Sequence, residues 1–187
     1  MPQPKQRSQQ QPNASATPGT GQQQQQRTQQ RGRQKKLTEY ATQLIEKQKT
    51  RNEYGLREKQ FRKYFDAASK ISGKTGSALL ETLERRLDNV VFRSGMAKTR
   101  AQARQLISHR HFKVNGKRVN IASILVKAGD SIEPHKITTV SYNPEVIETD
   151  WLKTDKKTGK ITVVRIPGEK ELPIEFDTQK IIEFYSR

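Results

Sequence analysis

Arg100 and Arg104 stand four residues apart in the stretch Ala97-Lys98-Thr99-Arg100-Ala101-Gln102-Ala103-Arg104-Gln105-Leu106-Ile107. On a helix that spacing sets both guanidiniums on one face, with Ala103, Leu106 and Ile107 on another. A guanidinium is a planar fork of donors that suits phosphate oxygens. Thr99 is placed to cap the helix. Lys98 lies at its start, where free backbone N–H groups and the helix dipole favour an anion. Arg85 and Arg86 add charge from the preceding helical stretch, and Lys113, Asn115, Gly116, Lys117 and Arg118 form a basic turn directly after it. Residues 84–118 hold ten basic and two acidic side chains. Charge concentrated in this way predicts a polyanion-binding face in preference to a generally solvated surface.

Catalytic chemistry finds no comparable support. Gly73-Lys74-Thr75 resembles the end of a phosphate-binding loop, but Ala68 occupies the position of the first glycine and lies on an amphipathic helix, not after a buried strand. His109 and His111 are the only clustered histidines and lack a third ligand at metal spacing, so they are expected to be solvated or to face phosphate. No nucleophile elbow or paired-carboxylate motif stands out. The absence of cysteine excludes disulfides, thiolate zinc sites and cysteine nucleophiles. The expectation is a binding protein with no enzymatic activity, no cofactor and no metal.

The elements that position these residues follow from hydrophobic period. Leu37, Tyr40, Ala41, Leu44 and Ile45 recur at helical spacing, with Gly55 as a stop. A second helix is predicted from about Leu56 to Ser69, with Phe61, Tyr64, Phe65 and Ala68 on its buried stripe. After a Ser72–Gly76 loop, Leu79, Leu80, Leu83, Leu87, Val90 and Val91 form one apolar ladder, predicting a single third helix that Gly95 ends. The Thr99 helix is the fourth and runs to about Ser108. The period then turns to alternation. Asn115-Gly116 between Phe112-Lys113-Val114 and Lys117-Arg118-Val119 is a strong hairpin signal. Ala128-Gly129-Asp130 turns into Ser131-Ile132-Glu133, and Lys156–Gly159 joins Trp151-Leu152 to the run Ile161–Ile166 as a second hairpin. Asp177 is expected to cap a last helix carrying Ile181, Ile182, Phe184 and Tyr185. The fold class is α+β: helices, a small antiparallel sheet and a closing helix.

Composition bounds the rest. The chain has 187 residues, 36 Lys+Arg against 19 Asp+Glu, and a formal charge of +17. Residues 1–36 contribute +7, residues 37–133 contribute +10, and residues 134–187 contribute nothing net. Hydrophobic residues are 31%. Residues 1–36 contain thirteen Gln and only three apolar side chains, so they are expected to form a disordered tail. There is no run of about 20 apolar residues to cross a membrane and no charged-then-apolar leader. These features predict a soluble, cytoplasmic protein.

Three blocks carry a family pattern: Leu83-Glu84-Arg85-Arg86-Leu87-Asp88-Asn89-Val90-Val91, Ala101–His109, and Val114-Asn115-Gly116-Lys117-Arg118-Val119-Asn120-Ile121. In this order they resemble the S-four RNA-binding domain. With Glu46–Lys49, Tyr54-Gly55, Glu58–Tyr64, Trp151-Leu152 and Ile181–Ser186, the resemblance narrows to the bacterial small-subunit ribosomal protein family after which that domain is named. It implies a helical domain over 37–82 completed by 176–187, and an RNA-binding domain over 83–175 with the S-four motif at about 84–133. It further implies binding to a multihelix junction of small-subunit ribosomal RNA early in assembly. The expected place is the ribosome, near the messenger RNA entry channel and beside neighbouring small-subunit proteins, with an influence on decoding accuracy. RNA contacts implied by the resemblance are Lys47, Lys49, Arg51, Arg57, Gln60, Arg62 and Lys63 in the first domain. In the second they are Arg85, Arg86, Lys98, Thr99, Arg100, Arg104, Gln105, Ser108, His109 and the hairpin residues Lys113, Asn115, Gly116 and Lys117. Tyr64 is expected as a buried helix aromatic in preference to a base-stacking one.

The chain departs from the family at its start, where a Gln-rich tail replaces a basic segment that sometimes carries zinc-binding cysteines. The segment before Trp151 is also shorter than in the common form. Two rival readings are weaker. Arg86-Leu87-Asp88 mimics the catalytic motif of pseudouridine synthases, but only 54 residues follow position 133, too few for that catalytic domain. A free RNA-binding regulator would not require the helical block 37–82 or the closing helix.

Overall fold

Thr38 begins the described part of this computed structural model, which covers residues 38–71, 73–136 and 149–187. The expectation of disorder over 1–36 lies outside it, as does most of the segment before Trp151. The Thr38 hydroxyl accepts from the Ala41 amide at 3.3 Å and caps α1, Glu39–Glu53. The helix ends where Gly55 takes φ +58°, a left-handed value open to glycine at little cost. α2, Glu58–Ala68, buries Phe61, Phe65 and Ala68 at spacings of four and three, leaving its charged side to solvent.

The predicted third helix is two helices. α3 spans Thr75–Glu84 and α4 spans Leu87–Arg93, with Arg85 and Arg86 between them. The apolar ladder runs through both, so periodicity alone does not reveal the break. The backbone groups freed there bond elsewhere. Leu87 N donates to Ile124 O at 2.8 Å, Asp88 N to Ala122 O at 3.2 Å, and Val126 N to Arg85 O at 2.9 Å. Segment 122–126 therefore substitutes for a helical turn, satisfying groups that burial would otherwise penalise.

α5, Arg100–Ser108, starts at its predicted cap: Thr99 Oγ1 accepts from Gln102 N at 3.1 Å, and Gln102 Oε1 accepts from Lys98 N at 2.7 Å. β1, Phe112–Val114, and β2, Lys117–Val119, form the expected hairpin. Asn115 and Gly116 take φ +49° and +78°, the pair of positive values a tight primed turn requires. β3, Ser131–Pro134, β4, Leu152–Asp155, and β5, Lys160–Val163, complete one antiparallel sheet in the order β2-β1-β3-β5-β4. Pairing of Lys113 with Arg118 and Glu133 places these three on one face, while Phe112 and Ile132 point to the other.

Apolar burial gathers in two clusters. One joins Tyr54, Phe61, Phe65, Leu79, Leu83 and Ile181, and α6, Thr178–Tyr185, packs there after its Asp177 cap. Gly76 makes that packing close: a Cβ at this position would stand 2.6 Å from Thr178 Oγ1. The other cluster joins α4 and α5 to the sheet through Leu87, Val91, Ile107, Phe112, Ile132, Trp151 and Ile161. Each fully buried large side chain of this kind contributes about 1.5–3 kcal/mol.

Candidate nucleic-acid interface

The helical spacing of Arg100 and Arg104 does place them on one face of α5, but that face turns toward the protein. Arg100 Nε donates to Asn89 Oδ1 at 2.8 Å and Nη1 to Glu53 Oε1 at 2.5 Å. Its guanidinium lies between the rings of Tyr54 and Phe92, 4.9 and 4.5 Å from their centroids. Arg104 donates to Asp88 Oδ2 at 2.7 Å and to the backbone oxygens of Gly55 at 2.7 Å and Tyr54 at 3.0 Å. Both arginines thus tie α5 to the end of α1, about fifty positions earlier in sequence.

Arg86, expected on the RNA face, is only 2% exposed. It makes a two-pronged bond to Asp88 at 2.8 and 3.1 Å and donates to the Tyr64 hydroxyl at 2.6 Å. Burial opposes its charge, yet Asp88 more than offsets this and raises the guanidinium above its ordinary value. Glu84 is a second buried acceptor, taking bonds from the Tyr54 hydroxyl at 2.6 Å, Asn89 Nδ2 at 2.9 Å and Arg93 Nε at 3.1 Å. Burial, then the Glu84 charge, pushes the Tyr54 phenol well up. Four arginines therefore form a network with the buried carboxylates Asp88 and Glu84 and the half-exposed Glu53, consistent with the rule that buried charges must be paired. The synthase-like Arg86-Leu87-Asp88 sequence belongs to it. The Asp88 side chain is 3% exposed and held by two guanidiniums.

The other expected contacts divide in the same way. Lys47 is buried, donates to Glu58 at 2.8 Å and lies 4.7 Å from the Phe184 ring centroid. Arg51 also bonds Glu58, Lys49 donates to Glu175 O, and Arg85 bonds Val126 O and Glu81. Ser108 bonds back to Arg104 O, and Thr99 is consumed as the helix cap. Asn115 secures its turn, donating to Asp130 and accepting from Ser131 N. Gly116 lies at the exposed tip of that turn.

Among the described residues, Arg57, Arg62, Lys63, Lys98, Lys113 and Lys117 form no side-chain hydrogen bond or ion pair. Gln60, Gln105 and His109 likewise keep their polar side-chain atoms unbonded. Two clefts adjoin this set. One, of about 320 Å³, lies at the start of α5 between Asn52, Gly55, Lys98, Thr99 and Arg104. The other, of about 240 Å³, is lined by Gln102, Gln105, Leu106, His109 and His111. Arg110 escapes the sequence reading altogether. It has φ +61°, one of two non-glycine residues with positive φ among those described. Only the missing glycine after a helix end would have signalled it. The described residues contain no group of three or more His, Asp or Glu side chains able to hold a metal, and no helix long and apolar enough to cross a membrane.

Comparison with known proteins extends this picture. The S4 domain family matches residues 85–132, and the ribosomal protein S4/S9 N-terminal domain family matches residues 5–84. Small ribosomal subunit protein uS4 of Aquifex aeolicus is 52% identical over 167 residues, covering 83% of this chain and 79% of its own length. That of Persephonella marina is 51% identical, covering 83% of this chain and 80% of its own length. Protein uS4A of Symbiobacterium thermophilum is 46% identical, covering 82% and 77% respectively.

Proposed function

The chain belongs to the small ribosomal subunit protein uS4 family, and we propose that it is a structural constituent of the small subunit and a primary binder of its ribosomal RNA. The single observation that carries the site assignment is the division of its basic residues. Those of the internal network hold α1, α4 and α5 together, while Arg57, Arg62, Lys63, Lys98, Lys113 and Lys117 stay unpaired at the surface. Unpaired cations around a helix start and a tight turn suit a folded RNA, which is recognised largely through shape, phosphates and 2′-hydroxyls. The two apolar clusters support a division into a helical domain, 37–82 with 176–187, and an RNA-binding domain, 83–175, although Leu83 and Leu172 pack with the helical cluster.

In this reading the protein joins its RNA early in assembly and influences decoding from a position near the messenger RNA entry channel. It acts by binding, without catalysis, on cytoplasmic ribosomes and beside other small-subunit proteins. The test is sedimentation of cell lysate after a high-salt wash. Retention on small subunits is expected. Release into the soluble pool would instead mark a transient RNA-binding factor.

A further inference from the structure

The end of α5 is built in an unusual way. Arg110 N donates to Ile107 O at 2.8 Å and His111 N to Leu106 O at 3.1 Å, the paired bonds of a Schellman turn. Such a turn places its left-handed residue where glycine is the low-cost choice, yet Arg110 occupies it at φ +61°. The turn carries His109 and His111 to the same side, their rings within 12° of parallel and their centroids 6.2 Å apart. A cleft of about 240 Å³ is lined by both histidines together with Gln102, Gln105 and Leu106 of α5. Neither imidazole has a hydrogen-bond partner among the described residues, and the Gln105 carboxamide is unbonded as well.

We propose that this cleft is a binding site for one unstacked nucleobase of the ribosomal RNA, an inference that rests on the RNA-binding reading above. The two imidazoles supply aromatic surface for stacking and Leu106 apolar contact. The Gln105 carboxamide offers one donor group and one acceptor to the base edge, the pairing that single-stranded bases present to proteins. The cleft volume of about 240 Å³ is of the size of a single base. Arg110 follows His109 directly in the chain, so a cation accompanies the cleft in sequence.

The test compares the full-length chain with H109A, H109F and Q105A in titrations of a small-subunit ribosomal RNA transcript across salt concentrations. Base-reactive chemical probing accompanies each complex, and thermal melts check that the exposed substitutions leave folding unchanged. H109A is expected to weaken binding about 5- to 150-fold, the range that corresponds to one stacked base. H109F, which stacks but carries no charge, should recover most of the loss. The salt slope should stay at the wild-type value in both, and one nucleotide protected in wild type should become reactive in H109A and Q105A. Equal weakness of H109F and H109A, or a slope reduced by about one, would show a phosphate contact and overturn the proposal. So would unchanged base reactivity in every variant. Failure of the wild-type protein to bind the transcript at all would instead remove the RNA-binding reading itself.

Discussion

Arg104 Nη2 donates to Asp88 Oδ2 at 2.7 Å, and the same nitrogen reaches the backbone oxygen of Tyr54 at 3.0 Å. One guanidinium therefore joins α5, α4 and the end of α1. The guanidinium that helical spacing offers to a phosphate also fastens these three elements to one another, with its side chain 34% exposed.

Asp88 is the centre of this arrangement, accepting from Arg86 and Arg104 while almost fully buried. Asp88→Ala leaves the Arg86 cation buried and unpaired, so stability should fall by about 3–5 kcal/mol. Urea unfolding should show a lower midpoint with an unchanged slope.

Arg100→Ala combined with Arg104→Ala removes two clasps and the stacking between Tyr54 and Phe92. The double variant should melt well below wild type, by several degrees for each kcal/mol lost. A calorimetric scan with wild-type melting would show that neither side chain holds the fold.

How far this arrangement is legible in sequence depends on the range of the interaction. Thr99, Asn115-Gly116 and Asp177 act within three or four positions, and each forms its predicted cap or turn. The break between α3 and α4 is not legible, because Leu83 and Leu87 keep a four-residue spacing across it. It depends on hydrogen bonds from residues 85–88 to segment 122–126. The direction of Arg100 and Arg104 is hidden for the same reason. Spacing shows that they share a face, but Glu53, Tyr54 and Gly55 decide what that face meets. The buried role of Arg86 required knowing that Tyr64 lies 22 residues away in sequence yet within 2.6 Å.

Glu58 gives a pH signature. Burial alone would raise its carboxyl, but donors from Lys47, Tyr185 and Arg51 hold it below the usual carboxylate range. A lowered folded value means that the contribution is present above the unfolded value, near about 4.3, and disappears as pH falls through the folded one. Glu58→Gln should therefore be less stable than wild type at pH 7, with the gap closing on acidification below about pH 4. A gap that is constant with pH would contradict this.

Gly76→Ala tests the closing helix. The added Cβ would meet Thr178 Oγ1 at 2.6 Å and Thr178 Cβ at 2.7 Å, forcing α3 and α6 apart. A loss of about 1–3 kcal/mol is expected in chemical denaturation.

Under the proposed function, unpaired surface cations bind ribosomal RNA while the inward arginines hold the surface that presents them. The most direct measurement is the salt dependence of affinity for small-subunit ribosomal RNA, comparing wild type with Lys113→Ala/Lys117→Ala. The predicted result is a linear fall of log affinity with log salt, with the variant weaker, equally stable, and shallower in slope by about one per lysine that touches phosphate. An affinity indifferent to salt, or a variant that matches wild type in both affinity and slope, would contradict the account.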